Sequence, residues 1–400
     1  MNVLVVNAGS SSLKYQLFDT SANAVLAKGI CERIGIDGKI EHKINGEKHV
    51  QEIDMPNHAV ATSIVVKYLT DEKLGCIKSM DEIEAVGHRI VHGGEFFSES
   101  VVLTDDVLAK LELCRDLAPL HTGAHIMGIK GCLEAMPGKP QVLVFDTAFH
   151  QTMPEQAYMY GIPYEMYEKY HIRRYGAHGT SHRYVSAEAA KLLNKPIEET
   201  KLITCHIGNG SSISAVKGGK CIDTSMGFTP LAGVLMGTRC GSIDPAIVTF
   251  IMKHEGYTPD EMSEFMNKKC GFLGLSGISS DSRDIEAAIL KGDRRAKIAA
   301  ETLAYQIKRY IGAYAAAMNG LDAIVFTAGM GENNPELRER ACSDLEYFSV
   351  KIDKEVNAKA HHQSNSVVLS TPDSKTKILL IPTNEELVIA SDTERLVKAL

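Results

Sequence analysis

The chain has 400 residues, 44% of them hydrophobic and 23% charged, with a formal net charge of −7. That length and balance fit a globular enzyme of two or three domains and exclude a disordered or repetitive chain. The negative charge and the lack of any dense Lys/Arg run argue against nucleic acid or an anionic membrane as a partner.

The N-terminus, Met1 to Val6, lacks a basic stretch, and its apolar run stops at Asn7, so no signal peptide is expected. The nine cysteines form no Cys-x-x-Cys pair, and an odd count in a large chain reads as reduced thiols in a cytoplasm. The longest apolar stretch, around Ile311 to Met318, is too short to span a bilayer.

Val3 to Val6 predicts a buried strand, Asn7 to Ser12 a small-residue turn, and Leu13 to Phe18 a half-buried strand with period 2. Val142 to Phe145 predicts a strand with Asp146 at its C-terminal end. Thr180 or Ser181 is the expected cap of a helix running to about Leu193. A second strand–turn–strand unit follows: Leu202 to Cys205, His206 to Ser212, and Ile213 to Val216. Two such units half a chain apart point to two related lobes.

Asp244-Pro245 opens a further helix. Arg294 to Asn319 is read as a long amphipathic helix with Ile298, Leu303, Ile307, Ile311 and Tyr314 on its apolar face, ended by Gly320. Ala323 to Phe326 predicts a strand feeding the turn Gly329 to Asn333. Ile378 to Ile381 predicts the last strand, before a terminal helix from about Glu386. Alternating strands and helices give an α/β fold of two lobes. The expected boundaries are 1–148, with 386–400 returning to it, and 149–385.

Three glycine-rich turns that each follow a buried strand suit phosphate, because glycine lets backbone N–H groups approach an anion and hydroxyls add donors. Lys14 can bring a point charge to the first of them. None fits the Walker or the dinucleotide-binding glycine pattern. The histidine pairs at 88/92, 121/125 and 178/182 lack the glutamate that a zinc hydrolase needs, so catalytic zinc is not expected. Arg89 and Arg239, each beside glycines, suit bidentate recognition of a carboxylate or phosphoryl group. Asp146, Glu385 and Glu386 are candidate oxygen ligands for Mg²⁺.

The segments Asn7–Lys14, Gly87–Gly94, Tyr175–His182, His206–Gly210, Met236–Arg239, Gly329–Asn333 and Pro382–Glu386 together resemble the acetate kinase family, in order and over essentially the whole chain. The resemblance implies the sugar kinase, Hsp70 and actin type of fold (ribonuclease H-like), with two duplicated α/β lobes closing on ATP in a homodimer. It implies reversible in-line transfer of the ATP γ-phosphoryl group to acetate, giving acetyl phosphate and ADP. The alternative is a propionate or other short-chain acid kinase.

By the same resemblance, Asn7 and Glu385 help place Mg²⁺, for which Mn²⁺ can substitute. Ser10, Ser12 and Lys14 lie near the transferring phosphate, with His206, Ile207, Gly208, Asn209 and Gly210 as the second phosphate loop. Asp281, Ser282 and Arg283, with Gly329, Met330, Gly331, Glu332 and Asn333, hold the adenosine part. Arg89, Asp146, His178 and Arg239 surround the reacting groups, and Val91, Leu120 and Pro230 line the methyl pocket. Ala177 stands where some family members carry Phe, which leaves acetate and propionate both open.

Overall fold

The computed structural model describes residues 1–119 and 121–400. The chain divides into two compact units, Met1–Phe149 with Asn384–Leu400, and His150–Thr383.

The first unit is built on an eight-stranded sheet. Its strands are β1 Asn2–Gly9, β2 Ser12–Asp19, β3 Ala24–Glu32, β4 Lys39–Ile44, β5 Glu47–Glu52, β6 Ala85–Ile90, β7 Val101–Val102 and β8 Gln141–Phe145. β1 and β2 form an antiparallel hairpin in which Gly9 faces Ser12 across a two-residue turn. β6 lies parallel to β1, and β8 parallel to β6.

The unbroken apolar run at the start of the chain is explained by burial on both faces. Leu4 and Val6 share a core with Ala61, Val65 and Cys132, from the helices His58–Leu69 and Thr122–Ala135. Val3 and Val5 pack with Ile389 and Ala390 of the terminal helix Glu385–Val397. That helix comes so close that a Cβ on Gly87 would lie 2.5 Å from Thr393 Oγ1. Only glycine fits there.

The second unit carries six strands: β9 Lys201–Ile207, β10 Ser211–Lys217, β11 Lys220–Thr224, β12 Ala323–Thr327, β13 Val367–Val368 and β14 Lys377–Leu380. The order β11-β10-β9-β12-β14 repeats β3-β2-β1-β6-β8, with the first three antiparallel and the next two added in parallel. Even the short edge strands correspond, β7 antiparallel to β8 and β13 antiparallel to β14. This is the duplicated α/β architecture expected from the two strand–turn–strand units.

The long helix forms over Arg294–Met318, capped by Asp293, whose side chain accepts from the Ala296 N–H, and closed by Asn319 in the left-handed region. Leu303, Ile307, Ile311 and Tyr314 are buried against Ile203, Cys205 and Ile207 of β9. Ile298, expected on that face, is 41% exposed, so the buried stripe passes beside it. The segment Gly329–Asn333, read as a turn, is part of a six-residue helix, Ala328–Asn333. Among the described residues no helix is long and apolar enough to cross a membrane.

Candidate active site

In the first unit the candidate groups sit at strand ends. Arg89 is the penultimate residue of β6, and Asp146 follows β8 directly. Arg89 donates from Nε to Asp146 Oδ1 at 3.2 Å and from Nη2 to Oδ2 at 2.7 Å. Asp146 is buried, and its own N–H donates to Ile90 O at 2.8 Å, which fixes the carboxylate against the neighbouring strand. Glu385, at the start of the terminal helix, lies 3.9 Å from Arg89 Nε.

One guanidinium therefore stands among the carboxylates of Asp146, Glu385 and Glu386. Burial, then the negative charges of Asp146 and Glu386, push the Glu385 carboxyl up to about 7 against the pull of Arg89. A divalent cation beside these groups would relieve that excess of negative charge, so the donor set fits Mg²⁺, a hard ion that takes oxygen ligands.

Asn7 faces Lys14 across the hairpin, and both line a cavity of about 210 Å³ with Lys28 and Glu386. Ser10 is exposed at the turn, and Ser12 opens β2. Val91 is half-buried, its N–H donating to His125 Nε2 at 3.2 Å. Leu120 falls outside the described residues.

The second unit gathers a different set. His178 has φ +59°, the left-handed region that non-glycine residues rarely occupy, and it stands at the N-cap of the helix Gly179–Leu192. Thr180 and Ser181, expected as caps, lie inside the first turn, with Ser181 Oγ bonded to His206 Nδ1 at 2.8 Å instead. The rings of His178 and His206 stack with centroids 4.1 Å apart.

His206 and Ile207 end β9, and Gly208, Asn209 and Gly210 form the turn into β10. Ile207 is fully buried in the core, so only its backbone could meet a ligand. A Cβ built on Gly210 would lie 3.4 Å from Arg239 Nη1 and 3.6 Å from both Nε2 and Cε1 of His178. The turn, the guanidinium and the imidazole thus converge.

Arg239 donates from Nη1 to Pro230 O at 3.1 Å, which also places Pro230 in this group. Among the described residues no carboxylate pairs with Arg239. Burial alone lowers its affinity for a proton. A largely buried guanidinium without a counter-charge is built to receive an anion. Its loop is seated on the turn: Gly237 N donates to Asn209 O at 3.2 Å, and a Cβ there would meet Asn209 Oδ1 at 1.9 Å.

Beside this group is a cavity of about 580 Å³, lined in part by Gly208, Asn209, Asp281, Ser282 and Arg283, with Gly329, Met330 and Asn333. Its size suits a nucleotide. Asp281 caps the helix Ser282–Leu290 and holds the exposed Arg283 through both carboxylate oxygens, which pulls its carboxyl down to about 2.

Gly331 and Glu332 do not line the cavity. Glu332 turns inward, where Oε1 accepts from the N–H groups of Ala328 at 2.8 Å and Thr383 at 3.1 Å. Ala177, too, is buried, packed with Met226 and Met236.

Several contributors escape a reading of the sequence. Ser280, Glu286, Asn334, Glu336 and His362 also line the nucleotide-sized cavity, and no motif announces them. Glu286 is held by Arg340 at 2.7 and 3.0 Å. Arg338 is fully buried, yet its hydrogen bonds all go to amide oxygens. It reaches Gly331 O at 2.8 Å, Glu332 O at 2.9 Å, both oxygens of Asn357, and Ala360 O. It thereby ties the Gly329–Asn333 segment to the body of the unit.

A duplicated α/β frame, glycine turns at strand ends, a nucleotide-sized cavity and a half-buried arginine without a counter-charge define a phosphotransferase. Residues 2–391 match the family described as the acetokinase family. The acetate kinase of Thermoanaerobacter pseudethanolicus is 58% identical over 403 residues, covering 100% of each protein. The crystal structure of Porphyromonas gingivalis acetate kinase matches with a TM-score of 0.96 at 50% identity, over 99% of each chain. That of a propionate kinase from Francisella tularensis gives 0.91 at 41%, again over 99% of each. The chain belongs to the acetokinase family.

Proposed function

We propose that the chain is an acetate kinase, transferring the γ-phosphoryl group of ATP to acetate by direct in-line displacement, reversibly. The observation that carries this reading is Arg239, a half-buried guanidinium without a carboxylate partner among the described residues, set beside His178 and the Gly208–Gly210 turn. The relatives named acetate kinase support the choice of acid, and the propionate kinase, at lower identity, stands as the alternative.

Phosphoryl transfer asks mainly for alignment and charge neutralisation. An acetate oxygen attacks the γ-phosphorus as the bond to the ADP oxygen breaks. Arg239 and His178 meet the charge on the equatorial oxygens, and the backbone of Gly208 to Gly210 receives the phosphate chain. Asp281–Arg283 and the Gly329–Asn333 segment hold the adenosine part.

In the first unit, Asp146 occupies Nε and one proton of Nη2 of Arg89. The remaining N–H groups are then presented in a fixed plane to the acetate carboxylate. Acetate is already ionised near neutral pH, so Asp146 orients Arg89 and is not needed as a base. Asn7 and Glu385 would hold Mg²⁺, which when bound supplies neutralising charge to the phosphates. Lys14, with Ser10 and Ser12, adds donors to the same end. Val91 and Pro230 are the described candidates for contact with the methyl group. In the same reading the enzyme works in the cytoplasm, which its nine free thiols suit. It works as a homodimer, for which exposed Ile247 and Phe250 offer an apolar face.

The test is ADP formation from Mg-ATP with acetate, propionate, butyrate or no acid. Acetate should exceed propionate in kcat/KM by roughly tenfold, since one methylene shifts discrimination by about 1–3 kcal/mol, and EDTA should abolish turnover. Equal use of the two acids would replace acetate kinase by the broader short-chain acid kinase reading.

A further inference from the structure

The reaction as drawn leaves His150 without a task. Its ring is fully buried in the second unit, and its Nε2 lies 2.9 Å from the carbonyl oxygen of Ala177. A carbonyl can only accept, so Nε2 carries a proton and donates it. On the other side of the ring, Nδ1 lies 3.1 Å from Sγ of the buried Cys221 on β11. Packing seats the ring on the same segment. A Cβ built on Gly176, whose φ is +77°, would lie 2.7 Å from His150 Cδ2.

The bond gains its meaning from the residue after Ala177. The carbonyl of Ala177 and the N–H of His178 belong to one rigid peptide plane, and φ of His178 is the rotation between that plane and its own Cα. His178 has φ +59°, where a non-glycine residue stays only if its surroundings hold it. The plane on its far side is held as well, because the carbonyl of His178 accepts from the His182 N–H at 3.0 Å. Upstream, the N–H groups of Tyr175 and Gly176 both donate to Gly227 O, at 3.0 and 3.2 Å.

The side chain of His178 leaves the chain between those two planes, so their setting aims the ring. Its Nδ1 reaches to 2.9 Å from Ser212 Oγ, a hydroxyl that also lies 2.7 Å from His182 Nε2, and its Nε2 edge faces the Gly210 turn. A peptide plane free to turn would let His178 relax towards the right-handed region, which moves Cβ and swings the ring away from Gly210.

We propose that His150 is a positioning residue: by donating to Ala177 O it holds His178 in its left-handed backbone and so keeps the imidazole at the phosphate turn. The proposal deepens the phosphoryl-transfer reading and rests on it for the work assigned to His178. Because that work falls on the transferring group, the effect of His150 belongs in kcat.

Two substitutions separate the donor from the ring. His150→Phe keeps a planar ring and removes the N–H, whereas His150→Gln keeps an N–H at comparable reach. His150→Phe should lose about tenfold in kcat, the scale of one hydrogen bond, with KM for ATP and for acetate unchanged. His150→Gln should recover most of that loss. The decisive comparison repeats His150→Phe in a His178→Ala background, where it should cost nothing further. An equal loss in both backgrounds overturns the proposal, since damage to packing alone is felt with or without His178. So does wild-type kcat in folded His150→Phe. A ¹H–¹⁵N spectrum of the wild type labelled with ¹⁵N-histidine, with His150 assigned by its contact with Gly176, needs no variant to fold. It should show a proton on Nε2, and a bare Nε2 overturns the proposal too. Failure of the wild type itself to phosphorylate acetate would sink the functional reading instead, and the spectrum would still decide the His150 bond.

Discussion

The inner strand of the first sheet sends Val3 and Val5 into a dry contact with Ile389 and Ala390. Its counterpart in the second sheet, β9, sends Thr204 and His206 to His182 and Ser181. The strand order is the same, and each strand is covered by a helix, yet one interface is apolar and the other is a chain of hydroxyls and imidazoles. The charges differ in the same sense. In the first unit Arg89 is matched by the buried carboxylate of Asp146, whereas in the second Arg239 has no such partner among the described residues. A shared frame delivers side chains to the carboxyl ends of parallel strands, where α/β sheets bind ligands. Local residue choice then decides whether the guanidinium at that end is already paired or waits for an anion.

The sharpest way to break this contrast is to remove the uncompensated arginine. If Arg239 meets charge that develops on the transferring phosphoryl, as arginine fingers do, Arg239→Ala should lower kcat by about 10³ or more. KM for ATP should change little, because only interactions strengthened in the transition state speed the chemistry. Arg239→Lys should rescue poorly, since a point charge cannot replace a planar fork. Steady-state kinetics with circular dichroism to confirm folding decide the matter. A folded Arg239→Ala that keeps a tenth of wild-type kcat would mean that the lone guanidinium is not used in the transition state.

Much of this frame is legible from the sequence. The apolar runs of β1 and β9, their Gly/Ser turns and the 25-residue helix ending at Asn319 follow from periodicity and turn chemistry. The rest depends on tertiary placement. Nothing local says that His178 will take a left-handed backbone and move the helix start ahead of Thr180. Nor does anything local say that Ser212 will sit between two rings contributed by another element. Glu332 looks like a ligand for a cofactor and is a staple for Ala328 and Thr383. Arg338 resembles any helix arginine until its burial is known.

Arg338 offers a second, smaller test, because it is another arginine without a carboxylate, but one fully buried and already satisfied by amide oxygens. Arg338→Met should unbond the carbonyls of Gly331, Glu332, Asn357 and Ala360 together. The expected cost is about 3 kcal/mol of stability, since buried acceptors left unmatched lose their full desolvation penalty. Chemical denaturation measures it, and KM for ATP should rise with it because the cavity segment loosens. An unchanged midpoint would show that Arg338 is incidental to this end of the sheet.

The gentlest test addresses the compensated pair. If Asp146 only orients Arg89, then Asp146→Asn keeps one acceptor for the guanidinium and loses the charge, and about a tenth of wild-type kcat/KM should survive, one charged hydrogen bond having become a neutral one. If Asp146 instead accepted a proton in the reaction, Asn could not substitute, and the loss should reach the 10²–10⁴ scale of general base catalysis. Arg89→Ala is the necessary partner measurement. It removes the donors proposed to hold acetate and strands a buried carboxylate, so KM for acetate should rise, kcat should fall, and stability should drop with them. In the double variant Arg89→Ala/Asp146→Asn the stranded charge is gone. Stability should then recover while the acetate KM stays high. Recovery of both would mean that Arg89 serves the fold alone; recovery of stability without recovery of KM separates the arginine that holds the substrate from the aspartate that holds the arginine.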